Sequence, residues 1–311
     1  MARAAHESLV ALTGATGFVG RRLTRALTRK GYRVRALTRR QQAPTSELLE
    51  WVSGSLEDPE SLSRLVEGAE AVVHCAGVVR GASEETFAEV NALGTARLVQ
   101  VAAAQSEPAR FLLISSIAAR EPQLSWYASS KRQGERLLEE RSGRMVWTVF
   151  RPTALYGPGD REMLPLFKAM KRGVLPVVGA DGGRITLLHV DDLARAVVQW
   201  VDQPLEEGHV LELHDGTEGG YGWQQIAAIA QAAWDRPIRV VQVPSGVLDL
   251  VAWLNLGLSR VTRGDPMLTP GKVRELRHPS WVCDNTSVTK VLAWTPQIDL
   301  ATALRTGAVF A

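Results

Sequence analysis

The sequence predicts an α/β protein, a doubly wound parallel sheet carrying a smaller, mostly C-terminal lobe. Three observations predict it. Short apolar, β-branched runs alternate with helix-length segments through the first half of the chain. The first run leads directly into a glycine-rich turn that opens a helix. After residue 156 the alternation gives way to Gly- and Pro-rich connections such as GPGD (157–160) and GADGG (179–183). With 311 residues, 45% of them hydrophobic, the chain is long enough for a large domain with a lobe attached.

In chain order, SLVALTG (8–14), YRVRALT (32–38), AVVHCAG (71–77), RFLLISS (110–116) and VWTVFRP (146–152) read as strands. Helices are predicted over 17–30, 59–67, 84–106 and 126–142. Right-handed crossovers then place the strands parallel, with helices on both faces. The expected division is a dinucleotide-binding domain over 1–156, rejoined around 185–200, and a substrate lobe over 157–311.

The turn TGATGFVGRRLTRAL (13–27) carries the strongest local signal. Gly14 permits the tight turn, Gly17 leaves room for a pyrophosphate, and Gly20 lets the helix pack closely. Thr16, Phe18 and Val19 complete the turn, whose free amides and helix dipole face the anion. At the end of the second strand, where a ribose 2′-hydroxyl is usually met by an acidic residue, stand Arg39 and Arg40. A guanidinium there pairs with a 2′-phosphate, so NADP(H) is expected in preference to NAD(H). Further along, Tyr127 and Lys131 are one helical turn apart and project from the same face.

Composition narrows the function classes. The net charge of +3 is small, and no basic block or aromatic-interleaved basic stripe points to nucleic acid. Cys75 and Cys283 lie in unrelated contexts, which suits a reducing, cytoplasmic compartment better than a disulfide framework. The opening MARAAHES lacks an apolar signal core. GVLDLVAWLNLGL (246–258) is too short for a bilayer span and carries Asp249 and Asn255, so no stable membrane insertion is expected.

Taken together, the glycine turn, NALGT (91–95), ISS (114–116), YASSK (127–131), RPTALYGPGD (151–160) and LLHVDDLA (187–194) resemble the extended short-chain dehydrogenase/reductase family, the NAD(P)-dependent epimerase/dehydratase group. The match covers nearly the whole chain in the right order. The resemblance implies that Tyr127 is the general acid/base at the substrate oxygen, that Lys131 lowers its pKa and holds the nicotinamide ribose, and that Ser116, in preference to Ser115, orients the substrate oxygen. It implies that Asn91 braces the active-site helix and that Pro152 and Thr153 border the nicotinamide. GSLEDPESL (54–62), with Ser55 where an aspartate is usual, and Leu56 then flank the adenine. HCAG (74–77) brings Cys75, Ala76 and Gly77 beneath the adenosine and pyrophosphate, with His74 a structural hydrogen-bonder. His189, Asp191 and Asp192 resemble the family's link between lobes, and no metal site is expected.

The expected activity is an NADP(H)-dependent interconversion of a secondary alcohol and a ketone on a hydrophobic small molecule. Ile117 and Ala118 stand where the family's dehydratases carry an acidic pair, which disfavours dehydration. The alternatives are an epimerase of nucleotide sugars and a non-catalytic dinucleotide-binding regulator. The Val-, Leu- and Trp-rich stretch 243–281 is read as a pocket wall or lid, as core of the second lobe, or, third, as an interfacial membrane contact. A homodimer is expected through helices 84–106 and 126–142.

Overall fold

The structure, a computed structural model, describes residues 8–310 apart from 180, 181, 204, 263 and 267. Residues 1–7, with most of the segment read as lacking a signal core, lie outside the described residues. A seven-stranded sheet forms the centre. Its strands are β1 (Leu9–Thr13), β2 (Arg33–Thr38), β3 (Leu49–Ser53), β4 (Ala71–His74), β5 (Arg110–Ile114), β6 (Trp147–Pro152) and, far down the chain, β11 (His209–Leu213). The order across the sheet is β11-β6-β5-β4-β1-β2-β3, with every pair parallel. The order reverses at β1 and β4, and the crevice outside the strand ends at such a reversal is where open α/β sheets bind ligands.

Side chains alternate across the sheet and build two cores. Val10 and Leu12 of β1, with Val34, Ala36 and Val73, face α1 (Phe18–Lys30) and α7 (Val190–Asp202). Leu9 and Ala11 of the same strand, with Val72, Phe111 and Leu113, face α2 (Pro59–Val66) and α4 (Gly94–Ala103). Helix α1 buries Gly20, Leu23, Thr24 and Leu27, one stripe at helical spacing, and stops at Gly31 in the left-handed conformation (φ 97°). Helix α2 starts at Asp58, whose carboxylate accepts from the Glu60 and Ser61 amides, with Pro59 in its first turn.

Two strands of this sheet were not anticipated. β3 (Leu49–Ser53) extends the sheet beyond β2, and β11 pairs with β6 through His209↔Thr148 to Leu213↔Pro152. The expected return to the first domain around 185–200 corresponds to β10 (Leu187–His189) and α7, and it runs on through β11. A later segment also joins this half: Val288 and Leu292 of α11 (Thr286–Leu292), with Trp294, are fully buried in the β1–α1–α7 core. The helix predicted over 84–106 is α3 (Glu84–Phe87), a π-helical turn (Ala88–Leu93) and α4. The second lobe has its own core, in which Tyr156, Phe167, Leu187, Tyr221, Ile226 and Leu300 meet. It contains β7 (Ala154–Tyr156), β8 (Val174–Val177), β9 (Arg184–Ile185), α6 (Leu164–Lys171) and α8 (Trp223–Trp234). It also carries α9 (Ser245–Thr262) and α10 (Pro270–Arg277).

The segment expected to link the lobes does so. His189 caps α7 through the Asp191 amide, Asp192 accepts from the Gln297 and Ile298 amides (2.8 and 2.9 Å), and Asp191 pairs with Arg22 of α1 at 3.6 Å. No helix among the described residues is long and apolar enough to cross a membrane, and no cluster of metal-ligating side chains is found there.

Candidate active site

A cleft of about 1420 Å³ runs from the glycine turn, past Tyr127, into the second lobe. A single small-molecule pocket is roughly 300–1,000 Å³, so this cleft has room for a dinucleotide and a second molecule end to end. Its first half is made by strand ends and the turn between β1 and α1. Gly14 has φ +74°, and a Cβ there would stand 2.6 Å from the Ala76 amide and 2.7 Å from the Cys75 carbonyl carbon, so only glycine lets the turn and the end of β4 meet. A Cβ on Gly20 would stand 2.0 Å from the Gly14 carbonyl oxygen; the close packing is of helix on turn. Gly17 caps α1 with no side-chain hydrogen bond to the first turn, which leaves the amides of the helix N-terminus free for an anion, and a Cβ there would crowd the Gly14 carbonyl oxygen at 3.3 Å.

Thr16, Phe18, Val19, Ser55, Leu56, Cys75, Ala76, Gly77, Pro152 and Thr153 all line the cleft. Arg39 lines it too, and Arg40 does not. Arg21 and Arg25, on the outer face of α1, line the same end as Arg39 and were missed by the sequence reading. Buried Arg97 Nη1 has no partner and stands near this end, while its Nη2 holds Glu89 at 2.7 Å. The open helix terminus, the glycine cradle and these cations fit a phosphorylated dinucleotide.

Behind the cradle lies a chain of hydrogen bonds. The Ala76 amide donates to Thr13 Oγ1 (3.1 Å), which stands 2.6 Å from His74 Nδ1; His74 Nε2 stands 3.0 Å from Thr95 Oγ1, which donates to the Asn91 carbonyl at 2.7 Å. This sequence of donors requires a neutral imidazole with its proton on Nε2. Burial first, and the Lys131 charge second, push His74 down to about 3. A folded-state value below the unfolded 6.5 means that the unfolded chain binds the extra proton. Stability present above about pH 6.5 is therefore lost as pH falls toward about 3, by on the order of 5 kcal/mol at most. Denaturant midpoints measured across this window should fall with pH in the wild type and fall less in His74→Asn.

Asn91 is buried at the π-helical turn, a geometry frequent at functional sites. Its Oδ1 accepts from the Val78 amide (2.9 Å), while Nδ2 donates to the Val78 carbonyl and to Ser130 Oγ (both 3.0 Å). Asn91 thus ties the end of β4 to helix α5 (Trp126–Arg141), which carries Tyr127 and Lys131. Ser125 caps α5 by accepting from the Ala128 amide at 3.0 Å.

Ser115 and Ser116 face different partners. Ser115 Oγ donates to Glu135 Oε1 at 2.6 Å, and the buried Glu135 also accepts a fork from Arg151 (2.9 and 2.6 Å). Ser115 is committed to that network. Ser116 caps the short turn Ile117–Arg120 through the Ala118 amide and hydrogen-bonds toward Tyr127. Lys131 is buried on the face shared with Tyr127, where Nζ donates to the Ile114 carbonyl at 3.1 Å, and burial lowers its pKa.

The phenol differs from expectation. Burial pushes the Tyr127 pKa above its ordinary 10.0, against the Ser116 hydrogen bond and a positive charge, and that charge belongs to Lys272 of α10. Lys131 is turned to the strand-end carbonyl. Lys272 pairs with Glu275 at 2.8 Å; burial opposes its charge, but Glu275 more than offsets this and raises the ammonium above its ordinary value. Glu275 in turn accepts from Ser125, and Gly271 packs against Ser125, where a Cβ would stand 2.9 Å from the serine Cβ. Helix α10 is therefore seated on the first turn of the catalytic helix, a contact the sequence reading did not include.

Comparison with known proteins identifies the family. The model of the NAD dependent epimerase/dehydratase family matches residues 10–213. A ceramide reductase of Caulobacter vibrioides is 39% identical over 280 residues, 88% of this chain and 86% of that protein. A 2-alkyl-3-oxoalkanoate reductase of Stenotrophomonas maltophilia is 25% identical over 60% of this chain and 63% of its own length. The crystal structure of UDP-glucuronic acid 4-epimerase from Bacillus cereus, in complex with UDP-glucuronic acid and NAD, superposes with a TM-score of 0.74 at 17% identity, over 97% of both chains; at that identity it shows the fold. The chain belongs to the NAD dependent epimerase/dehydratase family and is an NAD(P)-dependent oxidoreductase of the extended short-chain dehydrogenase/reductase type.

Proposed function

We propose that the protein reduces a ketone on a hydrophobic, lipid-like molecule to a secondary alcohol, with NADPH preferred over NADH. The observation that carries this reading is the wall of the cleft beyond Tyr127, where Met163, Leu166, Trp223, Trp253, Leu256 and Leu268 present apolar surface. Two of the cations there are engaged, Lys272 by Glu275 and Arg274 by the Leu124 carbonyl at 2.8 Å, and Arg161 also lines the cleft. Such a wall suits an acyl chain better than a nucleotide diphosphate. The likeness to a ceramide reductase supports the same substrate class.

The chemistry that a bound nicotinamide dinucleotide supplies is hydride transfer. Gly14, Gly17 and the first turn of α1 hold its pyrophosphate, with Arg39, Arg21 and Arg25 at the adenosine end. Tyr127 gives its proton to the carbonyl oxygen, and Ser116 orients that oxygen. A phenol held protonated across neutral pH by burial suits a donor. Lys131, fixed between Ile114 and the Asn91 clamp, meets the ribose.

In the test, NADPH oxidation is followed with the keto form of a ceramide and with UDP-glucose, and both cofactors are titrated calorimetrically. The keto lipid should turn over and the nucleotide sugar should not. NADPH should bind about tenfold or more tightly than NADH, the worth of one charge-assisted contact, and Arg39→Ala should remove most of that margin. Epimerisation of UDP-glucose, or NADH bound as tightly as NADPH, would overturn the reading.

A further inference from the structure

Helix α9 is apolar on both sides. Ala252, Leu256 and Ser259 are buried, and the helix packs on α10. On the opposite side Val247, Leu250, Val251, Leu254 and Leu258 form a stripe at helical spacing with exposures of 52%, 61%, 39%, 62% and 61%, flanked by Trp253 at 63%. A helix lying on a globular surface ordinarily presents polar residues outward. Half of the large hydrophobic side chains exposed by the described residues fall on this one helix, a concentration that marks an interaction site.

We propose that α9 docks the protein on the surface of a lipid bilayer, with the stripe sunk among the acyl chains near the headgroups, and that substrate enters the cleft from there. The route into the cleft rests on the proposed reaction with a lipid-like ketone; the docking rests on the helix alone. Continuity is the first argument for a bilayer. Trp253 and Leu256 line the cleft that reaches Tyr127, so the helix gives apolar surface both to the outside and to the cleft. Charge is the second. Across residues 245–259 the sole charged residue is Asp249, and it is neutralised by Arg277 at 3.0 Å. On the neighbouring α10, Glu275 offsets Lys272 and Asp249 offsets Arg277, which leaves Arg274 as one net positive charge on this side of the lobe, as anionic headgroups favour. An exposed tryptophan beside such a stripe is also the residue type enriched at membrane interfaces. Extent is the third argument. Six side chains on one helix are far fewer than the roughly 20–30 residues a side of a stable protein interface, whereas a bilayer accepts a single helix face.

The test is flotation of the full chain with phosphatidylcholine vesicles, with and without phosphatidylglycerol, beside analytical ultracentrifugation of the protein alone. Wild type should float with the vesicles, more strongly with phosphatidylglycerol. Leu250→Glu/Leu254→Glu should reduce the bound fraction by about tenfold or more, since both side chains lie at the centre of the stripe and would carry charge into the acyl region. Val174→Glu, a charge at an exposed apolar position elsewhere, should float as wild type does. Both altered leucines are more than 60% exposed and lie outside the cleft lining, so the double variant should keep its near-ultraviolet circular dichroism and its turnover of a short, water-soluble ketone while losing turnover of a vesicle-borne keto lipid. Wild type that stays in solution, or a double variant that floats equally well, overturns the proposal. A dimer that dissociates on the same substitutions also overturns it and makes a second copy the occupant. If no ketone is reduced but flotation still depends on Leu250 and Leu254, the reaction has failed and the docking stands.

Discussion

Tyr127→Phe is expected to lower turnover by about 10²–10⁴-fold and leave cofactor affinity nearly intact. The substitution keeps the ring and its edge contact with Phe87, 6.3 Å between centroids, and removes only the hydroxyl proposed to pass a proton to the substrate oxygen. The measurement is a steady-state comparison of kcat and kcat/KM with NADPH on one ketone, with NADPH binding titrated separately. A rate retained within about threefold, less than ~1 kcal/mol of barrier, would show that the tyrosine is not the proton donor. The variant would then behave as a change on a helix surface, and a non-catalytic dinucleotide-binding role would become the better reading.

The second large effect concerns stability. Glu135→Leu should cost about 3–5 kcal/mol, the usual result of removing one partner from a buried ion pair. Glu135 is 4% exposed and takes hydrogen bonds from Ser115, both sides of the Arg151 fork, and Arg132 at 3.0 Å. Its loss leaves Arg151 facing only Glu212, 3.7 Å away, from behind the strand end that carries Ser115 and Ser116. Chemical denaturation should show the lost stability as a lower midpoint with an unchanged slope. Glu135→Leu/Arg151→Met should regain much of it, because an apolar pair of similar volume needs no compensating charge. A single-variant cost below about 1 kcal/mol would mean that Arg151 finds another acceptor or water.

Much of this architecture was legible in local patterns. Alternation of apolar residues marked five of the seven sheet strands, and the glycine spacing marked the turn whose close contacts with β4 and with itself the structure displays. The strands that escaped notice, Leu49–Ser53 and His209–Leu213, are five residues each and carry charged or half-exposed side chains, so no apolar run announces them. The two candidate arginines could not be separated by type. Successive residues leaving a strand face opposite ways, and the structure brings Arg39 to the cleft and leaves Arg40 outside it. The charge near Tyr127 was hidden for another reason. Lys272 and Glu275 reach the site from some 150 residues downstream, through the Ser125–Glu275 contact, and no spacing rule relates positions so far apart. The π-helical turn at Asn91 was likewise silent, since its hydrogen-bond shift leaves the apolar pattern of 84–106 almost unchanged.

The burial of Val288, Leu292 and Trp294 against the first half of the chain bears on how the protein is made. Ribosomes add about 5–20 residues per second, and domains generally fold as they emerge. Here the last sheet strand ends at Leu213, yet the side chains that close the core beside it come from α11 and the residues just after it. For several seconds the nascent sheet therefore carries an apolar flank with nothing over it. Newly made chains are expected to stay aggregation-prone until α11 and Trp294 have been added, and a message that ended after the family-matched region should yield an aggregation-prone fragment.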